Sequence, residues 1–185
     1  IIISQSVLMV TKSEIENTLK GKDDFVKLDY LNRYLKQADN LDIKKFIHLS
    51  LAAVNESRNM ISEAIRNVGN AGDISVTYRE KRELYMKEVQ LWIKLGDFMM
   101  AEKAFHKALG YANEFEGKDM QTEYFELFRI RGSILENEGE TRKAIDTYER
   151  LFAITKFEKK KLEMRDKLLE LYEKMGRMKD YERMK

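Results

Sequence analysis

The chain has 185 residues, enough for one domain or one segment of a helical array, and its 34 basic and 32 acidic residues leave a net charge of +2. This balance argues against a dedicated nucleic-acid-binding protein, for which a strong basic excess is expected. The lack of cysteine excludes disulfides, thiolate catalysis and cysteine-ligated metal sites, and the lack of proline predicts long helices. Because a chain without cysteine suits a reducing compartment, we expect a cytoplasmic location.

The N-terminal stretch from Ile1 to Val10 is apolar and rich in β-branched residues, and its periodicity is compatible with a short strand or with the tail of a preceding helix. It follows neither a Met nor a basic stretch, so we do not predict a secretory signal peptide, and we expect the chain to begin within a longer protein. No apolar run in the sequence approaches the ~20 residues that a membrane span requires.

An N-terminal segment of irregular helix pairs is predicted for residues 1–68. Thr11 and Glu14 have the spacing of a capping box, and Gly21 ends the short helix that follows them. The next helix begins at Asp23 or Asp24, either of which can cap it. Its predicted apolar face consists of Phe25, Leu28, Leu31 and Leu35.

From Asp42 to Val68, an apolar stripe at three- and four-residue steps predicts one long helix, with an interruption near Asn55 as the alternative. The glycine-rich sequence that follows predicts a flexible loop over residues 69–77. A phosphate-binding turn is not predicted there, because no strand precedes these residues and no Lys-Ser/Thr pair follows them. We therefore expect the loop to separate the N-terminal segment from a regular second half at residues 78–185.

Glycines punctuate the second half of the chain at Gly96, Gly139 and Gly176. In this half the sequence predicts a turn at residues 116–118 and helices over residues 75–95, 98–115, 119–138, 141–155, 158–176 and 179–185. After Gly96, small and large apolar residues alternate on one helix face, as two closely packed antiparallel helices require. Trp92 is expected to be buried against Phe105 across this pair.

Two units of the second half share a pattern of glycine, aromatic and small residues. The first carries Gly96, Phe98, Ala101, Phe105 and Ala108, and the second carries Phe128, Gly132, Gly139, Ala144 and Tyr148. This pattern resembles the tetratricopeptide repeat (TPR) over residues 78–185. The closing glycines lie 43 and 37 residues apart, where the family's unit is about 34, and the family's closing Pro is absent. The chain is thus similar to the long-helix branch of such folds, found in soluble NSF attachment proteins and kinesin light chains.

The resemblance implies an all-α fold, a right-handed α–α superhelix of antiparallel helix pairs whose first helices line a concave groove. It implies a non-enzymatic scaffold or adaptor that binds a partner protein or peptide in that groove. The groove candidates that it supplies are Met86, Gln90, Ile93, Glu126, Arg129, Ser133, Glu136, Asp166, Glu170 and Glu173. They lack the Lys and Asn with which chaperone-binding members clamp a terminal carboxylate. The set is apolar at one end and acidic at the other, which suits a helical or basic peptide.

A second hypothesis stays open at this point, a nucleic-acid-associated or regulatory module of a multidomain protein that uses one basic cluster. The cluster consists of Lys156, Lys159, Lys160, Lys161 and Arg165. Glu158 and Glu163 interrupt it, which favours a solvated face between helices. Self-association is compatible with both hypotheses, because no clear polar cap closes the C-terminal end of the array.

Neither catalysis nor cofactor binding is predicted. His48 and His106 lie on different predicted helices without acidic residues at metal-ligand spacing, so no metal site is expected. Ser50 is close to His48 in sequence, but residues two apart on a helix point to different faces and do not form a nucleophile–base pair. An enzyme is therefore the class of function that these residues support least.

Overall fold

The computed structural model of the protein describes residues 10–185, and the apolar stretch predicted as a strand or helix tail falls, at residues 1–9, outside the described residues. The described part of the chain forms ten α-helices and no β-strand. In chain order the helices are α1 (Lys12–Leu19), α2 (Asp24–Gln37), α3 (Leu41–Ser57), α4 (Ile61–Ile74), α5 (Tyr78–Leu95), α6 (Phe98–Leu109), α7 (Glu114–Asn137), α8 (Thr141–Ile154), α9 (Glu158–Lys174) and α10 (Met178–Met184). Each helix packs chiefly against its neighbours in the chain, so the expected all-α fold is confirmed.

The first two helices begin where the sequence predicts. Thr11 Oγ1 accepts a hydrogen bond from the backbone N–H of Glu14 at 3.3 Å, and Asp23 Oδ1 accepts one from the N–H of Val26 at 3.1 Å. Both side chains satisfy N–H groups in the first turn of a helix, which have no partner within the helix itself.

The sequence predicts that Phe25 lies on the buried face of α2, and this prediction is wrong. Its side chain is 72% exposed, and the Arg58 guanidinium lies 3.7 Å from the centre of its ring. Leu31, which is fully buried, marks the true core face of this helix. Leu31 lies six positions after Phe25, which places the two side chains well apart around a helix of 3.6 residues per turn.

The stripe predicted as one long helix forms two helices, α3 and α4, so that prediction is wrong. The chain reverses at residues 58–60, where Asn59 has a φ of 58°, a left-handed conformation that asparagine tolerates better than most residues. The alternative interruption near Asn55 lies close to this turn. Ala52 of α3 joins Ile61 and Ala64 of α4 in one apolar cluster, so the two halves of the stripe pack on each other.

Helix α4 continues through most of the predicted loop and ends at Ile74, so only residues 75–77 join it to α5. The loop prediction is therefore wrong for residues 69–74. A Cβ atom at Gly72 would lie 2.6 Å from Cε1 of Tyr85, so this glycine permits a close approach between α4 and α5. Glycine content alone does not distinguish such a contact from a flexible loop.

The connection between α6 and α7 lies earlier in the chain than predicted. Helix α6 ends at Leu109 and α7 begins at Glu114, so residues 116–118 are helical and do not form a turn. Asn113 Oδ1 accepts a hydrogen bond from the N–H of Glu116, whose carboxylate accepts one from the N–H of Asn113, both at 3.0 Å. This capping box starts α7 ahead of Gly117.

Replacement of Asn113 by Ala is expected to lower the free energy of unfolding by about 1 kcal/mol, because it removes the cap of α7. Urea titration followed by circular dichroism measures the change. Asn70→Ala is the matched control, since Asn70 is exposed within α4 and Ala is the better helix former there. Equal losses from both substitutions would contradict the assigned cap.

The glycines that follow α5, α7 and α9 adopt the left-handed conformation that is common at the C-terminal ends of helices. Gly96, Gly139 and Gly176 have φ values of 89°, 77° and 67° and follow α5, α7 and α9.

Trp92 differs from prediction, because it is only half-buried, between the apolar clusters on either side of α5. Phe105 stacks on Tyr124 of α7, with ring centres 4.1 Å apart, and so joins successive pairs.

Three buried tyrosines each donate a hydrogen bond to a carboxylate on a neighbouring helix. The pairs are Tyr85 with Asp73 (2.9 Å), Tyr148 with Glu136 (2.7 Å) and Tyr172 with Glu149 (2.8 Å). Burial, followed by the hydrogen bond to the carboxylate, raises the pKa of Tyr85 to about 12. The same causes raise the pKa values of Tyr148 and Tyr172. These phenols therefore keep their protons well into the alkaline range in the folded state.

Stability is expected to fall as the pH rises from about 10, where unfolded tyrosine ionises. Above that pH the unfolded state binds fewer protons than the folded state, so the free energy of unfolding decreases until the folded phenols also ionise. Urea titrations between about pH 8 and pH 12 measure this decrease, and Tyr85→Phe should make it shallower. A free energy of unfolding that is constant over this interval would contradict the assigned burial.

Candidate partner-binding face

Helices α5, α7 and α9, the first helices of three consecutive pairs, form what we call the α5–α7–α9 face. An open cavity of about 250 Å³ lies between α5 and α7, and one of about 460 Å³ lies between α7 and α9. The first is lined by Arg82, Glu83, Met86, Lys87, Gln90, Met120, Glu123 and Leu127. The second is lined by Arg129, Ser133, Glu136, Asn137, Tyr148, Glu163, Met164, Asp166, Lys167 and Glu170. Helix α7 lines one cavity with residues up to Leu127 and the other with residues from Arg129 onward.

The cavity between α5 and α7 has an apolar floor and a charged rim. Its floor is formed by Met86 and Met120, which are buried, and by Leu127, which is half-buried. The cations of the rim, Arg82 and Lys87, are held in ion pairs with glutamates at 2.7 Å and 2.9 Å. This cavity therefore offers apolar contact to a ligand, and its cations are already neutralised.

The cavity between α7 and α9 is acidic, with four carboxylates and two cations among its lining residues. Glu136 accepts a hydrogen bond from Tyr148 Oη at 2.7 Å and forms an ion pair with Lys167 Nζ at 2.9 Å. Burial opposes the charged form of Lys167, but Glu136 and Glu170 outweigh it and raise the pKa of this amine. The excess of carboxylates favours a positively charged ligand.

Seven of the ten groove candidates line these cavities. Met86 and Gln90 lie in the first, and Arg129, Ser133, Glu136, Asp166 and Glu170 lie in the second.

The other three candidates lie elsewhere. Ile93 is only 2% exposed and belongs to the core, so its predicted place in the groove is wrong. Glu126 is half-buried and forms an ion pair with Arg129 at 2.7 Å. Glu173 is exposed on α9 and lines neither cavity.

Several lining residues were not predicted from the sequence, among them Arg82, Glu123, Leu127 and Lys167. Glu123 and Leu127 already lie within the helix that the sequence predicts over residues 119–138, so its late start does not explain why they were missed. Met120, Glu123 and Leu127 follow one another at steps of three and four residues and therefore share one face of α7. This spacing was the signal that could have found them.

The predicted basic cluster does not form a single cationic surface. Lys160 Nζ lies 4.3 Å from the ring centre of Phe125, and Lys161 Nζ lies 5.1 Å from that of Phe152. Arg165 forms an ion pair with Asp166 at 3.1 Å. Of the five cations, only Lys156 and Lys159 are exposed.

Within residues 10–185, no group of three or more His, Cys, Asp or Glu side chains is arranged to hold a metal ion. His48 Nδ1 is hydrogen-bonded to Asn67 Oδ1 at 2.9 Å, and His106 is exposed on α6. None of the helices of the described chain combines the length and apolar character that a bilayer crossing needs. The chain matches no protein-family model and no curated protein with significant similarity.

Proposed function

We propose that the chain is a non-enzymatic scaffold with a TPR-like architecture, which binds a basic, amphipathic peptide segment of a partner protein on the α5–α7–α9 face. The observation that carries this proposal is the pairing of two adjacent cavities, one with an apolar floor and one with an excess of carboxylates. A helical peptide with apolar residues on one face and cations at one end complements both.

The glycine geometry supports the repeat architecture. Gly96, Gly139 and Gly176 close the first helices of three successive pairs, and α5 contacts α7 directly. In a right-handed superhelix of TPR type, such first helices line the concave surface, where ligands of the family bind. In that architecture the two cavities would lie along one path for an extended or helical segment.

Fluorescence polarisation with two labelled peptides tests the proposal. Both peptides carry the same helical leucine pattern, with lysines at the polar positions of one and glutamates at those of the other. We expect saturable binding of the lysine peptide alone. Glu163→Lys should weaken it about fivefold or more, because it places a cation in the acidic cavity.

Asp146→Lys provides the matched control, since Asp146 is exposed on α8 outside both cavities and its substitution changes the net charge equally. Binding should be retained in this variant. Equal weakening by both substitutions would mean that the net charge of the chain alone governs binding, and it would contradict a site on the α5–α7–α9 face. Preference for the glutamate peptide would contradict the assigned partner chemistry.

A further inference from the structure

Two cations of the chain already engage carboxylates of the cavity between α7 and α9. Lys167 Nζ lies 2.9 Å from Glu136 Oε2 and 3.3 Å from Glu170 Oε2, and Arg165 pairs with Asp166 at 3.1 Å. Lys167 itself lines the cavity, whereas Arg165 does not. The chain thus places an ammonium group of its own in the cavity that is proposed to receive a cation of the peptide.

Glu136 is the least exposed carboxylate of this cavity. Its side chain is 21% exposed, against 67% for Asp166 and 68% for Glu170, and Glu163 is exposed as well. Water and salt screen a charge less at such a place, so a cation gains more from Glu136 than from the carboxylates of the rim. In the free chain, Lys167 holds this position.

Lys167 is able to leave Glu136 without loss of the surrounding structure. Its side chain is 32% exposed, so rotation about the bonds of its flexible stem carries the ammonium group into solvent. Glu136 would keep its second partner, because Tyr148 Oη donates a hydrogen bond to the other carboxylate oxygen, Oε1, at 2.7 Å. The carboxylate therefore stays oriented when its cation is exchanged.

We infer that Lys167 is an internal competitor for the cation of the bound peptide. In the free chain its ammonium group occupies Glu136, and a lysine or arginine of the peptide takes its place when Lys167 turns out to solvent. This inference rests on the proposed function of the α5–α7–α9 face. It implies that a peptide without a cation leaves Lys167 in place, and that a cationic peptide binds less tightly than the carboxylates alone would allow.

Fluorescence polarisation of the lysine peptide with Lys167→Met tests the inference on the whole chain. Met is unbranched and has a helix propensity similar to that of Lys, so α9 should be retained, which circular dichroism checks. The variant is expected to bind the peptide about fivefold more tightly or better, because no internal cation has to be displaced. Lys167→Arg keeps a competing cation and should bind no more tightly than the unmodified chain.

Arg165→Met and Lys143→Met are the matched controls, since each removes one cation and frees one carboxylate. Arg165 pairs with Asp166 at the exposed rim, and Lys143 pairs with Glu140 outside both cavities. Exposed ion pairs contribute little, so each control should change the affinity by less than about twofold. An equal gain in Arg165→Met and Lys167→Met would mean that local charge alone sets the affinity, and it would overturn the inference.

The unmodified chain and Lys167→Met together distinguish this inference from the proposed function. Equal, saturable binding of the lysine peptide by both would overturn the inference and leave the proposed function standing. Lack of binding by both would overturn the two together. Binding by Lys167→Met alone would support the inference, because the internal cation would then be the group that blocks the site.

Discussion

Replacement of Phe128 by Ala is expected to lower the free energy of unfolding by about 3–5 kcal/mol. Phe128 is fully buried on α7, and its ring centre lies 5.2 Å from that of Phe98 and 5.1 Å from that of Tyr124. The substitution removes these contacts and leaves a cavity in the core. Urea or thermal unfolding followed by circular dichroism measures the loss.

Phe115→Ala is the matched control for this experiment. Phe115 lies on the same helix but is 79% exposed, so the identical chemical change should alter stability by less than about 0.5 kcal/mol. A small effect at Phe128 would mean that the large apolar cluster joining α5 to α9 is not the core. Similar losses at both positions would contradict the assignment of Phe128 to the core and Phe115 to the surface, because Ala is the better helix former at both.

Two glycines of α7 should respond in opposite directions to the same substitution by Ala. A Cβ atom at Gly132 would lie 2.4 Å from Cε1 and Cζ of Tyr148, far inside contact distance, whereas a Cβ atom at Gly117 would meet only Leu109 at 3.7 Å. Tyr148 is 2% exposed and is hydrogen-bonded to Glu136, so its ring has little freedom to move aside. The glycine at 132 is therefore required for the close packing of α7 on α8.

Gly117→Ala should raise the free energy of unfolding by up to about 1 kcal/mol, because Ala is the better helix former. Gly132→Ala gains the same propensity but forces the ring of Tyr148 to shift, so it should be less stable than Gly117→Ala by about 1–3 kcal/mol. Comparison of the two variants by urea titration isolates the steric cost. Equal stabilisation by both substitutions would refute the close α7–α8 contact.

The parts of the fold that were predictable depend on local chemistry. Gly96 and Gly139 end helices because a left-handed residue completes a helix end, and Asp23 starts one because its carboxylate accepts a backbone hydrogen bond. The turn at Asn59 was missed because an apolar stripe looks the same in one helix and in two that face each other. The role of Gly72 depends on Tyr85 of the next helix, a contact that no local pattern contains.

The residues of the candidate site were likewise predicted only in part. Helical spacing found Ser133 and Asp166, since both lie well within helices that the sequence predicts, over residues 119–138 and 158–176. It misplaced Ile93, because spacing identifies one face of a helix but not which neighbour covers it. A pocket lined by Phe105, Tyr124 and Phe157 was not predicted at all, because these residues are distant in the sequence and come together only through the packing of the helices.

The sequential packing of the helices also bears on how such a molecule can change size. Within residues 10–185, the main contacts join helices that are adjacent or nearly adjacent in the chain, and none of these contacts joins the first helices to the last. A helix pair can then be gained or lost at an edge of the array while the remaining pairs keep their neighbours. The number of pairs, and with it the reach of the surface they present, is free to vary during evolution without redesign of the interior.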